Sequence, residues 1–394
     1  MVQRIPHRFV LLLCVLFSAC RSDPQPQSRP VLSSASPLAF YTNAQLKQLT
    51  TTHDSLTYQP ADYQLTVHRL TYQTTLEDGT PVVASGVVYV PSQLTPAGKP
   101  YPLLSYQHPT AFSDAEAPSG GSFGQATFSY PLYFATHGYL VACPDYIGYG
   151  ITDHLPHRYE HRQTLAQATV DMLLATQEFL AQQRIPYNRQ VFLTGYSEGG
   201  YASLSAQKLI EDQYADELRL AGSSCGAGPY AMSSFFDYIT HQPTAGGIAN
   251  YLYVWQTLAY DRIYKLNRPV SYYFKSPYAG QIAQSLDTAR TIRLSFHQVC
   301  TDQFRADVRN PSSAFSRALA DDDLTNWTTQ TATRLIHSEQ DEIIPFLMSQ
   351  QAFAALTQRG SKNLHMVVLR NGYHVPTEVI AMRRSLEWFE QLRQ

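Results

Sequence analysis

The run Gln190–Leu209, QVFLTGYSEGGYASLSAQKL, most narrows what this chain can fold into. A short apolar stretch, Val191–Leu193, meets Gly195-Tyr196-Ser197-Glu198-Gly199, and a helix-like segment begins at Gly200. A G-x-S-x-G pentapeptide between a strand and a helix makes a sharp turn that lifts the serine hydroxyl out of the sheet. Glycine two residues to either side removes Cβ atoms that would collide with the neighbouring strand or helix. In an ordinary Gly-rich turn the same five residues carry no chemistry, so Ser197 needs partners to act as a nucleophile.

Candidate partners lie downstream. Ala332–His337 is a short apolar run that leads into Ser338-Glu339-Gln340-Asp341-Glu342-Ile343-Ile344-Pro345. Leu364–Leu369 reads as another buried strand, and Arg370–His374 follows it as a loop. Phe346–Gln358 reads as a helix, so Asp341 and His374 are separated by one helix and one strand. Asp341 is the preferred acid because it lies just past a strand, with Ile343 and Ile344 returning to the core. Glu339 and Glu342 are rival acids, and a solvated acidic loop is the alternative to all of them. His374 is the candidate base.

Pattern switches outline the architecture. Tyr63–Thr74 and Val82–Val90 alternate in strand fashion about Glu77-Asp78-Gly79, an antiparallel hairpin signal. Leu103–Gln107, Leu140–Cys143 and Val191–Leu193 are near-continuous apolar runs, as expected of parallel strands covered on both faces. Gln163–Gln182 has helical apolar spacing. Together these features predict an α/β fold with a doubly wound, mostly parallel sheet. Gly226–Gln330 is far longer than the roughly dozen residues a parallel crossover needs. It is expected to be an inserted, mainly helical cap, which leaves 38–225 and 331–394 as the core. Most of the cap's many aromatic residues, such as Phe235, Phe236 and Tyr260, are expected to form its own core, with some lining a cleft above Ser197. Pro144–Gly150 closes the Leu140 strand, and Asp145 is read as structural.

The first 20 residues read as a secretory signal. Arg4 and Arg8 precede the apolar run Phe9–Phe17, which is shorter than the ~20 residues a spanning helix requires. Ser18-Ala19-Cys20 resembles a bacterial lipobox, with Cys20 as the lipidated residue and a membrane attachment point. Phe17 departs from the usual aliphatic residue, so cleavage with release stays open. Residues 21–37 are rich in Ser, Pro and Gln and read as a flexible tether. The net charge of −2 and the lack of a basic run argue against a nucleic-acid partner. Of the cysteines beyond residue 20, Cys225 and Cys300 are a candidate disulfide, and Cys143 sits in an apolar strand. His154, His157 and His161 invite a metal reading, but Pro156 interrupts any shared helical face and no familiar ligand spacing completes them. They are placed on a loop beside the substrate entrance.

SYQHPT (Ser105–Thr110), HGYLVACPDYIGYG (His137–Gly150), GYSEGG (Gly195–Gly200), HSEQDEIIP (His337–Pro345) and NGYH (Asn371–His374) occur in one order. Together they resemble the α/β-hydrolase superfamily, and within it the bacterial secretory lipase/esterase group. The chain order Ser, Asp, His is that of the superfamily. The resemblance implies a triad of Ser197, Asp341 and His374, an acyl-enzyme, an ester or lipid substrate and no cofactor. It also implies an oxyanion hole made by the backbone N–H of Glu198 and one from the loop after the Tyr101–Gln107 strand. Pro109 stands where many relatives have glycine and has no N–H, so Thr110, then Ala111, is the candidate second donor. His108 is read as shaping that loop. A serine peptidase of the same fold would share every one of these residues. A binding protein on a dead hydrolase scaffold would not need an intact triad.

Overall fold

The computed structural model describes residues 1, 30–51, 64–92, 100–120 and 126–393. The signal segment beyond Met1, Cys20 and the first part of the tether lie outside the described residues. Nine strands form one sheet: β1 (Leu32–Tyr41), β2 (Leu65–Thr75), β3 (Pro81–Pro91), β4 (Tyr101–Gln107), β5 (Leu140–Pro144), β6 (Tyr187–Tyr196), β7 (Leu220–Gly226), β8 (Thr333–Ser338) and β9 (Leu364–Leu369). Their spatial order is β1-β2-β3-β5-β4-β6-β7-β8-β9. β1, β2, β3 and β5 pair antiparallel in turn, and every pair from β5 to β9 is parallel. The expected hairpin is present, with Thr75 opposite Pro81 and Gly79 at φ 80° in the turn.

The near-continuous apolar strands follow from layers on both faces. After α1 (Asn43–Thr51) come α2 (Ala126–Thr136), α3 (Arg162–Gln182) and α4 (Glu198–Gln213). Leu103, Leu140 and Ala142 turn towards α3 and α4. Leu104, Val141 and Cys143 turn to the opposite face, where α2 packs together with the C-terminal helix. Alternate residues therefore serve opposite cores, and no strand position in this part of the sheet is left to solvent.

Between β7 and β8 the chain is helical: α5 (Met232–His241), α6 (Ile248–Ile263), α7 (Val270–Tyr273), α8 (Tyr278–Gln284), α9 (Phe296–Val299), α10 (Asp302–Arg309) and α11 (Ala314–Asp321). Its aromatic residues mostly pack on one another. Phe304 meets Phe315 at 5.0 Å and 90°, and Tyr273 meets Phe304 at 5.0 Å and 89°, both edge-to-face. α12 (Leu347–Gln358) and α13 (His374–Leu392) complete the fold.

Two sequence expectations need correction. The tether predicted for 21–37 ends sooner, because residues 32–37 belong to β1. This edge strand is almost wholly exposed, so it has no apolar pattern to betray it. It is held by ladder bonds to β2 and by the Glu178 carboxylate of α3, which accepts from Val31 N and Leu32 N at 2.9 Å each. The Cys225–Cys300 pair is not formed, and Cys143, Cys225 and Cys300 are buried free thiols. Cys225 lies in β7 with Sγ 3.4 Å from Ser223 Oγ, whereas Cys300 follows α9 and pairs through its backbone with Phe274.

Glu178→Ala should release the start of β1. Two charge-assisted bonds at a half-buried site are expected to contribute about 1–2 kcal/mol together. Faster amide exchange confined to residues 31–41, with the rest of the sheet unchanged, is the outcome that hydrogen–deuterium exchange should record.

Candidate active site

The turn from β6 into α4 is built by crowding. A Cβ on Gly195 would sit 2.4 Å from Gly199 O, and one on Gly199 would sit 2.1 Å from Gln107 O. Only glycine lets β4, β6 and α4 approach so closely. Ser197 takes φ 56° and ψ −123°, a sparsely populated conformation for a residue with a side chain. That geometry turns its hydroxyl away from the sheet while its C=O still accepts from Tyr201 N at 3.0 Å.

β8 and β9 deliver the other two residues to the same edge. His374 Nε2 lies 2.9 Å from Ser197 Oγ, and His374 Nδ1 lies 2.6 Å from Asp341 Oδ2. All three side chains are nearly or fully buried. A carboxylate only accepts, so Nδ1 carries the hydrogen and Nε2 is free to take one from the serine. A hydroxyl bonded to such an imidazole can lose its proton as it attacks an electrophile.

Burial alone would lower the His374 pKa. The Asp341 charge and hydrogen bond, with help from Glu342 and Glu378, outweigh it and raise the imidazole above its ordinary 6.5. Burial alone would raise Asp341, but His374 and His337 hold it well below the usual carboxylate range.

Several supporting groups were missed by sequence reasoning. His337, four residues before Asp341, donates from Nε2 to Asp341 Oδ2 at 3.1 Å and to Ile344 O at 2.9 Å. Asp341 Oδ1 accepts from Ile343 N at 3.0 Å and Ile344 N at 2.8 Å. Glu342, a rival acid by sequence, turns to the backbone and accepts from His374 N at 2.8 Å. Glu339 is exposed. Glu378, one helical turn beyond His374, is pushed up to about 7 by burial, with His374 acting the other way. His337 lies within the HSEQDEIIP segment already singled out, and its spacing from Asp341 was the available signal.

The Glu198, Gly199 and Gly200 N–H groups open α4, where a helix has no internal acceptor for them. The β4 loop presses on the same point, since a Cβ on Gly199 would also come within 2.8 Å of His108 O. Thr110 follows two residues later, with Oγ1 3.0 Å from Tyr159 OH. Asp145 accepts from Ser119 N at 2.7 Å and Ser85 Oγ at 2.6 Å, tying the loop after β5 to β3. His108 places Nδ1 2.7 Å from Pro109 O and stacks on Tyr146 at 4.1 Å.

The three histidines placed together at the substrate entrance part company. His154 is exposed, and His161 is buried with Nδ1 3.0 Å from Thr164 Oγ1. His157 is buried beneath the turn, with Nε2 2.5 Å from Glu198 Oε1. A buried carboxyl that needed a donor drew it inward, a pull that local sequence does not reveal.

A family model described as secretory lipase matches residues 126–393. Lipase A of Moesziomyces aphidis is 26% identical over 187 residues, which are 45% of this chain and 38% of that protein. The match thus spans well under half of the relative's length. Among solved structures, a Legionella pneumophila protein superposes with a TM-score of 0.82 at 20% identity, covering 92% of this chain and 98% of that one. The rice cell wall degrading esterase LipA of Xanthomonas oryzae gives a TM-score of 0.73 at 26% identity, covering 91% and 96%. Candida antarctica lipase A in its closed state gives 0.67 at 17% identity, covering 93% and 82%.

A raised imidazole pKa contributes stability that is complete below about pH 6.5 and disappears as pH climbs through the folded-state value. The melting-temperature gap between wild type and His374→Gln should therefore be wider at about pH 5.5 than at about pH 9. Equal gaps in thermal melts at the two pH values would contradict the imidazole–carboxylate coupling.

Proposed function

The chain belongs to the secretory lipase family, and from that premise we propose that it is a serine hydrolase cleaving carboxylic esters through Ser197, His374 and Asp341. The observation that carries this reading is the unbroken chain of bonds from hydroxyl to imidazole to carboxylate, 2.9 and 2.6 Å long. Ser197 Oγ attacks the ester carbonyl while His374 Nε2 takes its proton. Asp341 keeps the imidazole in the required tautomer and stabilises its cation. The developing oxyanion is received by the Glu198 N–H and, from the loop after β4, by the Thr110 N–H. Among the described residues the Thr110 amide donates to no protein acceptor, so it is available for that role.

Collapse of the tetrahedral species expels the alcohol, which collects the proton from His374. Water then repeats the sequence on the acyl-enzyme. The raised His374 pKa suits both halves, since the imidazole must accept a proton and return it.

The segment 226–330 acts in this reading as a cap over the acyl site, and the aromatic packing around Trp255 and Tyr159, stacked at 4.5 Å, supports an apolar cleft. Export through the N-terminal segment accords with a secretory family; attachment through a lipidated Cys20 is the further part of this reading and rests on Ser18-Ala19-Cys20 in the sequence.

Ser197→Ala should abolish both fluorophosphonate labelling and hydrolysis of nitrophenyl esters without moving the melting temperature. Asp341→Asn should lower kcat by roughly 10⁴-fold through loss of the correct tautomer. Aminoacyl amides in the same assay provide the opposing case: faster turnover of amides than of esters would replace the esterase assignment with a peptidase.

A further inference from the structure

The pair formed by His157 and Glu198 has a proton count that the hydrogen bonds fix. His157 Nδ1 lies 2.8 Å from Ile147 O, and a carbonyl oxygen only accepts, so Nδ1 carries a hydrogen. Nε2 faces Glu198 Oε1 at 2.5 Å, which requires a second hydrogen between them. The pair is an imidazolium with a carboxylate or an imidazole with a carboxylic acid. In both forms its net charge is zero.

Among the described residues no other cationic side chain is bonded to that carboxyl. Glu198 is 0% exposed, and its Oε2 has no hydrogen-bond partner. His108 interacts with it electrostatically, but burial lowers the His108 pKa and favours the neutral ring, whose nitrogens face Pro109 O and Asp145 O. Glu160, also buried, faces the same region and can offer no positive charge; burial and then the Glu198 charge push its carboxyl well up. His157 is in turn seated by α6 of the insertion: Arg262 donates to its C=O at 2.8 Å, and Trp255 packs edge-on against its ring at 5.8 Å.

We propose that His157 is a positioning residue whose proton cancels the Glu198 charge, so that the Glu198 backbone N–H can receive the reaction's oxyanion. This rests on the oxyanion role proposed above. A bare carboxylate on the donor's own side chain would oppose the negative charge forming beside it, in a buried site where water screens little.

The test compares wild type, His157→Phe, Glu198→Gln and the double variant on a short nitrophenyl ester at about pH 9. His157→Phe should lower kcat by about 30-fold or more, with KM within about threefold, because the loss falls on the transition state. The double variant should return to within about fivefold of wild type, since a neutral glutamine leaves nothing to cancel. Glu198→Gln alone is the reference against which the double variant is read. A double variant no faster than His157→Phe would overturn the proposal, because mere loss of packing is not repaired by removing a charge. Should His157→Phe fail to fold, His157→Gln takes its place in the same comparison: recovery of kcat when Glu198→Gln is added supports the proposal, and no recovery overturns it. Ser197→Ala in the same assay separates the two readings. Retained turnover there defeats the proposed function, whereas its loss together with an unrescued double variant defeats only the role of His157.

Discussion

Three stretches of backbone meet around residue 197 with no space for a Cβ between them. Gly195 and Gly199 lie against each other's turn and against the end of β4, and a Cβ on Gly200 would sit 2.0 Å from Gly226 O at the end of β7. The strained Ser197 conformation costs roughly 1–3 kcal/mol and persists because the flanking layers leave the chain no other path. Much of the site follows from that crowding. It fixes the hydroxyl at the carboxyl edge of the sheet, opens the first turn of α4 to a ligand, and presses the loop after β4 against it. β8 and β9, the parallel strands beyond β7, then need only short loops to bring Asp341 and His374 to the same edge.

Carboxylates at strand ends share this edge, and their donors decide how each behaves. Asp341 and Asp145 are both removed from water and both accept from a backbone N–H. Asp145's side chain otherwise accepts from the neutral Ser85 hydroxyl, with His108 acting on it only weakly and without a hydrogen bond to the carboxylate, and burial wins, raising its pKa. Asp341 faces two imidazoles able to carry positive charge, and they overcome the same burial. Similar positions thus give opposite titration behaviour. Asp341 stays ionised over the whole working range and can hold an imidazolium, whereas Asp145 ties a loop in place.

The fold was legible wherever apolar residues recur with a period. The buried strands, the β2–β3 hairpin, α3 and α12 all announced themselves in this way, each within a residue or two of its observed bounds except β6, which begins four residues before the apolar run Val191–Leu193 and ends three beyond it. The long insertion was legible only as surplus length rich in aromatic residues, and its division into seven helices left no comparable trace. Within the site, Ser197, Asp341 and His374 could be named because each lies just past a recognisable strand. His337, His157 and the backbone role of Glu342 could not. Their partners are polar and are chosen by three-dimensional proximity, and a single polar residue has no periodicity. β1 escaped for a related reason: a strand exposed along most of its length obeys backbone pairing alone, and its Ser/Pro-rich composition mimicked a linker.

The insertion is tied to the site by more than a covering surface. α6 reaches both flanks of Ser197. Tyr253 OH donates to Ile343 O at 2.6 Å, in the turn whose amides hold Asp341, and Tyr260 OH donates to Glu160 O at 3.0 Å. Arg262 holds the His157 carbonyl a little further along the same helix. Lifting α6 as a unit would break all three bonds, leave buried carbonyls without donors, and cost roughly 1–3 kcal/mol for each group so exposed. Access by rigid opening of α6 is therefore the expensive route. The fold favours a fixed α6 that braces the turn holding Asp341 and the segment carrying His157 together.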